Sequence, residues 1–149
     1  MRVHPADPNS YVDPTMQFRI RPELPASDIN RAWRWYKEKL GVDPVLHGNE
    51  PIEGELTEVF SELLYDTGTA MFGVYQSDNA GTNKATAARL IVDDFDGVFS
   101  TLKARGVVFE DYDFGDDFRT IDGVLISPDG EKTAWFKDSE GNILGLGSV

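Results

Sequence analysis

The sequence predicts an α+β fold of two βαβββ modules, forming a curved sheet with a central cleft. Three observations carry the prediction. The first is an internal repeat: the helix-capping residues Asp28 and Asp94 stand 66 residues apart (94 − 28), and the helix-ending Gly41 and Gly106 stand 65 apart (106 − 41). The second is that each helical stripe follows a strand of period two and is followed by further strands. The third is the closing stretch Thr133–Ser148, TAWFKDSEGNILGLGS, which reads as strand, tight turn and strand. Each module's helix covers one face of its strands, and the opposite face is left to curl into the cleft.

Taken in order, residues 1–15 contain Pro5, Pro8 and Pro14 and few apolar side chains, so they read as an extended arm. Residues 16–149 read as one domain, made of modules 16–78 and 85–149. Gln17–Leu24 alternates as a strand, with Pro22 marking an edge or bulge. Ser27 or Asp28 caps a helix through Leu40 whose apolar stripe is Ile29, Ala32, Trp33, Tyr36 and Leu40. Asp43–Gly54 is loop or short strand. Glu58–Tyr65 and Thr69–Gln76 form a hairpin about Asp66-Thr67-Gly68, and the polar stretch Ser77–Lys84 links the modules.

The second module repeats that order. Thr86–Val92 is a strand, Asp93 or Asp94 a cap, and Phe95, Val98, Phe99 and Leu102 the helical stripe. Strands are expected at Val107–Tyr112 and Gly123–Ile126. In the terminal hairpin, Ala134 and Phe136 share one face and Thr133, Trp135 and Lys137 the other. Past a turn in which Gly141 supplies a positive φ, Leu144 and Leu146 share a face opposite Ile143, Gly145 and Gly147.

Composition bounds the function. The chain has 149 residues, 40% of them hydrophobic, which suffices for a substantial core, and no Cys, which excludes disulfides and thiolate chemistry. Its 26 acids against 14 bases give a net charge of −12, a field that repels phosphate backbones, so nucleic acid is not an expected partner. No apolar run approaches membrane-spanning length, and the start MRVHPADPNSYVDPT lacks a signal-peptide core, so a cytoplasmic protein is expected. Acidic runs at residues 43–78 and 110–117 read as solvated surface, or as an attractor of a cationic ligand.

Several short pieces, in this order and spacing, carry a resemblance: Leu24-Pro25-Ala26-Ser27-Asp28, Leu40-Gly41, Val92-Asp93-Asp94, Ala104-Arg105-Gly106-Val107-Val108-Phe109-Glu110, and Ala134-Trp135-Phe136-Lys137-Asp138 with its turn through Asn142. From Gln17 to Ser148 the chain resembles the vicinal-oxygen-chelate superfamily, home of glyoxalase I, bleomycin-resistance proteins and extradiol dioxygenases. It is most similar to small bacterial glyoxalase-like proteins ending A-W-F-K-D-P-D-G-N-I-L-A-L.

The resemblance implies four metal-ligand positions, which fall on Arg21, Gly73, Ala87 and Gly145. None of these side chains ligates a cation, so no metal and no cofactor is expected. Strand parity then places Arg19, Glu23, Met71, Tyr75, Arg89, Ile143 and Trp135 in the cleft beside them. Gly73 and Gly145, equivalent in the two modules, are expected to open space side by side. The competing reading is that Arg21 and Glu23 pair on a solvated face while the aromatics fill the core.

The expected function is metal-free binding of a small organic molecule, aromatic or zwitterionic, at Arg21, Glu23, Met71, Gly73, Tyr75, Arg89, Trp135 and Gly145. Bleomycin-resistance proteins are the precedent, and a homodimer is expected with it. The alternative is a lyase, isomerase or dioxygenase-type enzyme with displaced or absent ligands. Glu23, the only carboxylate on the inferred floor, would be its catalytic candidate.

Overall fold

The computed structural model describes residues 13, 15–16, 18–47, 50–51, 62–116 and 118–148. The arm at residues 1–15 falls almost wholly outside them, as does the start of the strand expected from Glu58. Strand β1 (Glu23–Ala26) leads into helix α1 (Ile29–Trp35), followed by β2 (Leu46–His47), β3 (Glu50–Pro51), β4 (Glu62–Asp66) and β5 (Met71–Gln76). The second half runs β6 (Thr86–Ile91), α2 (Phe95–Ala104), β7 (Leu125–Ile126), β8 (Lys132–Lys137) and β9 (Ile143–Gly147). One sheet has the order β1-β5-β4-β2-β3 and the other β6-β9-β8-β7. In each, the first strand lies parallel to the last, which forces the intervening helix to cross over one face.

Local chemistry explains the helices. The Asp28 side chain accepts from the Arg31 N–H and opens α1, as Asp94 accepts from Gly97 and opens α2. Ile29, Ala32 and Tyr36 bury one side of the first helix, Phe95 and Leu102 one side of the second. Past Trp35 the first helix widens into a π turn, Tyr36–Leu40, before Gly41 ends it. Beyond α2 the chain turns at Arg105 and Gly106. Lys39 and Arg105 then bond reciprocally: the Lys39 ammonium donates to the Arg105 carbonyl and Arg105 Nη1 to the Lys39 carbonyl. Equivalent residues of the two halves therefore meet, as a pseudo-twofold axis between the helix ends requires.

One core joins both halves. Leu24, Ile29, Tyr36, Leu63, Tyr65 and Val74 from the first pack with Phe95, Leu102, Phe136, Leu144 and Leu146 from the second. The hairpin parity is as the sequence predicts, with Ala134, Phe136, Leu144 and Leu146 in this core.

The turn Asp138–Asn142 is pinned to the start of α1. The Glu140 carboxylate accepts from the Asp28 N–H at 3.0 Å and from Arg31 Nε at 2.8 Å, and Asn142 Nδ2 donates to the Pro25 carbonyl at 2.9 Å. Burial pushes the Glu140 pKa up, but hydrogen bonds from Arg31, Asp28 and Ser139 outweigh it and hold the group at about 2, against 4.5 ordinarily. A depressed folded-state pKa stabilises above the unfolded value and loses that stabilisation as pH falls. Unfolding free energy from urea titration should therefore drop by about 2 kcal/mol between pH 5 and pH 2.5 on account of this group, after allowance for the half-exposed Arg31. Glu140→Gln should flatten that part of the profile, and an unchanged slope would remove the assignment.

Three expectations are corrected. The first strand is Glu23–Ala26, not Gln17–Leu24, because pairing with β5 begins only where the Pro22 carbonyl accepts from the Gly73 N–H. Val107–Tyr112 forms no ladder. It touches β8 at the single bridge Phe109–Phe136, after which Asp111 Oδ1 accepts from Thr120 and Gly123 and draws the chain into an arch. Finally, β6 carries a bulge between Thr86 and Ala88, which breaks its alternation.

Candidate functional site

Strand register fixes which side chains stand on the sheet faces away from the core. In the first sheet Glu23 pairs with Gly73, Gly73 with Leu64 and Tyr75 with Glu62. Since Leu24, Leu63 and Val74 point into the core, Glu23, Glu62, Met71, Gly73 and Tyr75 occupy the other face. Arg21, just before β1, joins them: its Nε donates to Glu23 Oε1 at 2.7 Å and its Nη2 to Glu62 Oε1 at 3.1 Å. One guanidinium thus lies between two carboxylates, and all three side chains remain partly exposed.

In the second sheet the same construction gives Thr86, Arg89, Thr133, Trp135, Gly145 and Gly147. Trp135 Nε1 donates to Thr86 Oγ1 at 3.2 Å, and Arg89 Nη2 to Thr133 Oγ1 at 3.2 Å. Tyr112 stands edge-on to Trp135, centroids 5.7 Å apart at 73°, and stacks in turn on Phe114. Burial, then the neighbouring Glu110, raises the Tyr112 pKa, so its hydroxyl remains a donor.

The glycines do not open the space expected of them. A side chain on Gly73 would collide with the Glu23 carboxylate, and one on Gly147 with the Arg89 guanidinium. Around Gly145, Arg89 Cγ, Thr86 Cγ2 and Trp135 Nε1 already stand 3.5–3.6 Å from where a Cβ would be. Glycine here lets the long side chains of the neighbouring first strands lie flat on the sheet. Glu23 and Arg89, 66 residues apart like Lys39 and Arg105, therefore place opposite charges at equivalent points of the two halves.

Of the residues expected at the site, Arg21, Glu23, Met71, Gly73 and Tyr75 gather on the first sheet, and Arg89, Trp135, Ile143 and Gly145 on the second. Among the described residues no hydrogen bond or ion pair joins the two groups. Ala87 leaves the face, because the bulge turns it to pack against the core and puts Thr86 beside Gly145. Four participants were not anticipated. Glu62 and Thr133 follow from parity once the hairpin registers are known. Thr86 is hidden by the bulge, and Tyr112 by the arch that replaces a strand.

These side chains do not fit a divalent cation. Three of the four positions implied by the resemblance lack a donor atom, and the fourth, Arg21, is itself cationic and engages both nearby carboxylates. Among the described residues no three His, Cys, Asp or Glu side chains converge.

No family model matches the sequence, and no curated protein matches it. Solved structures do. A glyoxalase/bleomycin resistance protein from Catenulispora acidiphila superposes with a TM-score of 0.60 at 21% identity, over 88% of this chain and 97% of that one. This chain has the glyoxalase/bleomycin-resistance fold. A lactoylglutathione lyase from Agrobacterium tumefaciens shares this fold, with a TM-score of 0.61 at 16% identity over 88% and 92% of the two chains. So does a bleomycin-binding protein complexed with bleomycin, with a TM-score of 0.60 at 16% identity over 89% and 98%. One fold thus serves a lyase and a binding protein, and the fold alone does not decide what a chain does. Among the described residues no helix is long and apolar enough to cross a membrane.

Proposed function

We propose that this protein binds a small organic molecule, aromatic or zwitterionic, without a metal ion, on the faces of its sheets away from the core, and that it does so as a homodimer. The observation that carries this reading is the surface about Trp135. A half-buried indole, an edge-on Tyr112, the Arg89 guanidinium lying over Gly147 and two hydroxyls share this face. An aromatic wall with a few converging polar groups is the ordinary make-up of a small-molecule site. The Arg21–Glu23–Glu62 group on the other sheet supplies both signs of charge, which suits a zwitterion. Binding is favoured over catalysis because Arg21 already engages Glu23, the carboxylate a proton transfer would need. A solved protein of this fold holds bleomycin, which is precedent for ligand binding.

Support for the dimer comes from the edges. Among the described residues β1 pairs only with β5 and β6 only with β9, so each leaves an outer edge. Phe18 and Ile20, a few residues before β1, and Ile91, in β6, are 50%, 84% and 64% exposed, and a second copy related by twofold symmetry would cover them. Sedimentation at micromolar concentration should give the mass of two chains. A thermal-shift screen of aromatic and zwitterionic compounds should give the same ligand-induced rise with and without a chelator. Finding about one zinc, nickel, iron or manganese per chain by elemental analysis, with ligand binding lost on its removal, would overturn the metal-free reading.

A further inference from the structure

The pseudo-symmetry is broken where the hairpin turns meet the helix starts. At α1 the Glu140 carboxylate closes on Asp28 and Arg31, while at α2 the equivalent residues are Asp94 and Gly97, with no arginine. The turn facing α2, Thr67–Ala70, carries no carboxylate and is one residue shorter than Asp138–Asn142. Where the first contact is shut, the second stands open as a groove of about 890 Å³ between α2, β6 and that turn, within the usual size of a small-molecule site.

Its floor is apolar: Leu24, Tyr36, Phe72, Leu90, Leu102 and Leu144. At one end stand Lys39 and Arg105, held side by side by each other's carbonyls. Among the described residues neither has a carboxylate within ion-pair reach, although the chain carries 26 acids. The carbonyl bonds occupy one donor of each side chain, and an ammonium has three and a guanidinium five. Asp94 lies on the far rim and repels a second anionic group. The carbonyls of two helix ends partly offset the cations, which suits a singly charged head.

We propose that this groove binds an amphipathic carboxylate of fatty-acid type, its alkyl chain along the floor and its head at Lys39 and Arg105. Trp135 does not line this groove, although Met71, Arg89 and Ile91 do, and the proposal does not rest on the function proposed for the Trp135 surface.

Calorimetric titration of the whole protein with octanoate, decanoate and dodecanoate, each below its micelle concentration, tests this. One saturable site is expected, tightening roughly four-fold per added methylene. Decanol and decyltrimethylammonium should bind at least about ten-fold more weakly than decanoate. Lys39→Gln with Arg105→Gln should lose about ten-fold, while Lys39→Arg should stay within about three-fold. Thr101→Trp and Ala70→Trp, on opposite exposed walls, should each block binding with the circular dichroism spectrum unchanged, and Trp135→Ala should leave binding intact. Either blocking variant serves if the other fails to fold. Absence of saturable binding, equal affinity for the alkylammonium, or binding indifferent to both blocking variants would overturn the proposal. So would loss of binding in Trp135→Ala, which places the ligand on the sheet face, or a change of sedimentation mass in the blocking variants, which makes the occupant a second copy.

Discussion

Replacing Asp138 by alanine should cost about 3–5 kcal/mol of folding free energy, although the residue lies in a turn. The Asp138 side chain is only 6% exposed with its residue and accepts four hydrogen bonds. Oδ1 takes the N–H groups of Glu140 and Asn142, each at 2.9 Å, and so shapes the turn. Oδ2 takes Asn142 Nδ2 at 2.9 Å and the hydroxyl of Tyr36, from the end of the first helix, at 2.7 Å. Burial, and then the neighbouring Asp138, push the Tyr36 pKa well up, so the phenol keeps the proton it donates. Truncation orphans that hydroxyl and one amide proton inside the protein, at about 1–3 kcal/mol each, and releases the turn. Tyr36→Phe removes only one donor and should cost about 1–2 kcal/mol. Urea denaturation of the two variants and their double mutant measures the coupling, since the double mutant should cost less than the two singles added. A loss below about 1 kcal/mol for Asp138→Ala would mean that the turn is held by something else.

That network marks the limit of what the sequence carries. The turn itself was legible: Asp138 through Asn142 interrupts two alternating runs, and Gly141 takes the expected positive φ of 84°. The two helices were legible from their caps and stripes, and the faces of the last hairpin from period-two alternation. Glu140 read only as a turn residue, because its partners at Asp28 and Arg31 lie 112 and 109 positions away and no local pattern encodes them. The start of β1 was misplaced for the same reason. Alternation runs unbroken from Gln17, but pairing with β5 decides where a strand begins. Thr86 shows a different failure, since a single bulge exchanges inside for outside and leaves no mark in composition. The glycines misled in a third way. Their lack of a side chain suggested space, whereas the parallel neighbour strand supplies a long charged side chain that fills it.

Phe136→Ala should cost about 3–5 kcal/mol of stability, while Trp135→Ala should leave a folded protein that binds its ligand about 1–3 kcal/mol more weakly. The two residues are neighbours on β8, and alternation sends them to opposite faces. Phe136 is 0% exposed, stacked on Trp35 at 6.2 Å and met edge-on by Phe109 at 5.6 Å, so truncation leaves a cavity between both halves of the protein. Trp135 is half-buried and holds only Tyr112 and Thr86, which solvent can satisfy in its absence. Arg21→Ala should likewise fold, because Glu23 and Glu62 are already partly solvated. Urea titrations of the variants give the stability arm. The binding arm uses a ligand from the thermal-shift screen, whose contact with Trp135 should also change its fluorescence. Swapped outcomes, with Trp135→Ala unfolding the protein and Phe136→Ala tolerated, would invert the two faces and remove the proposed site. Normal folding of Trp135→Ala with unchanged affinity would keep the fold and place the ligand away from the indole.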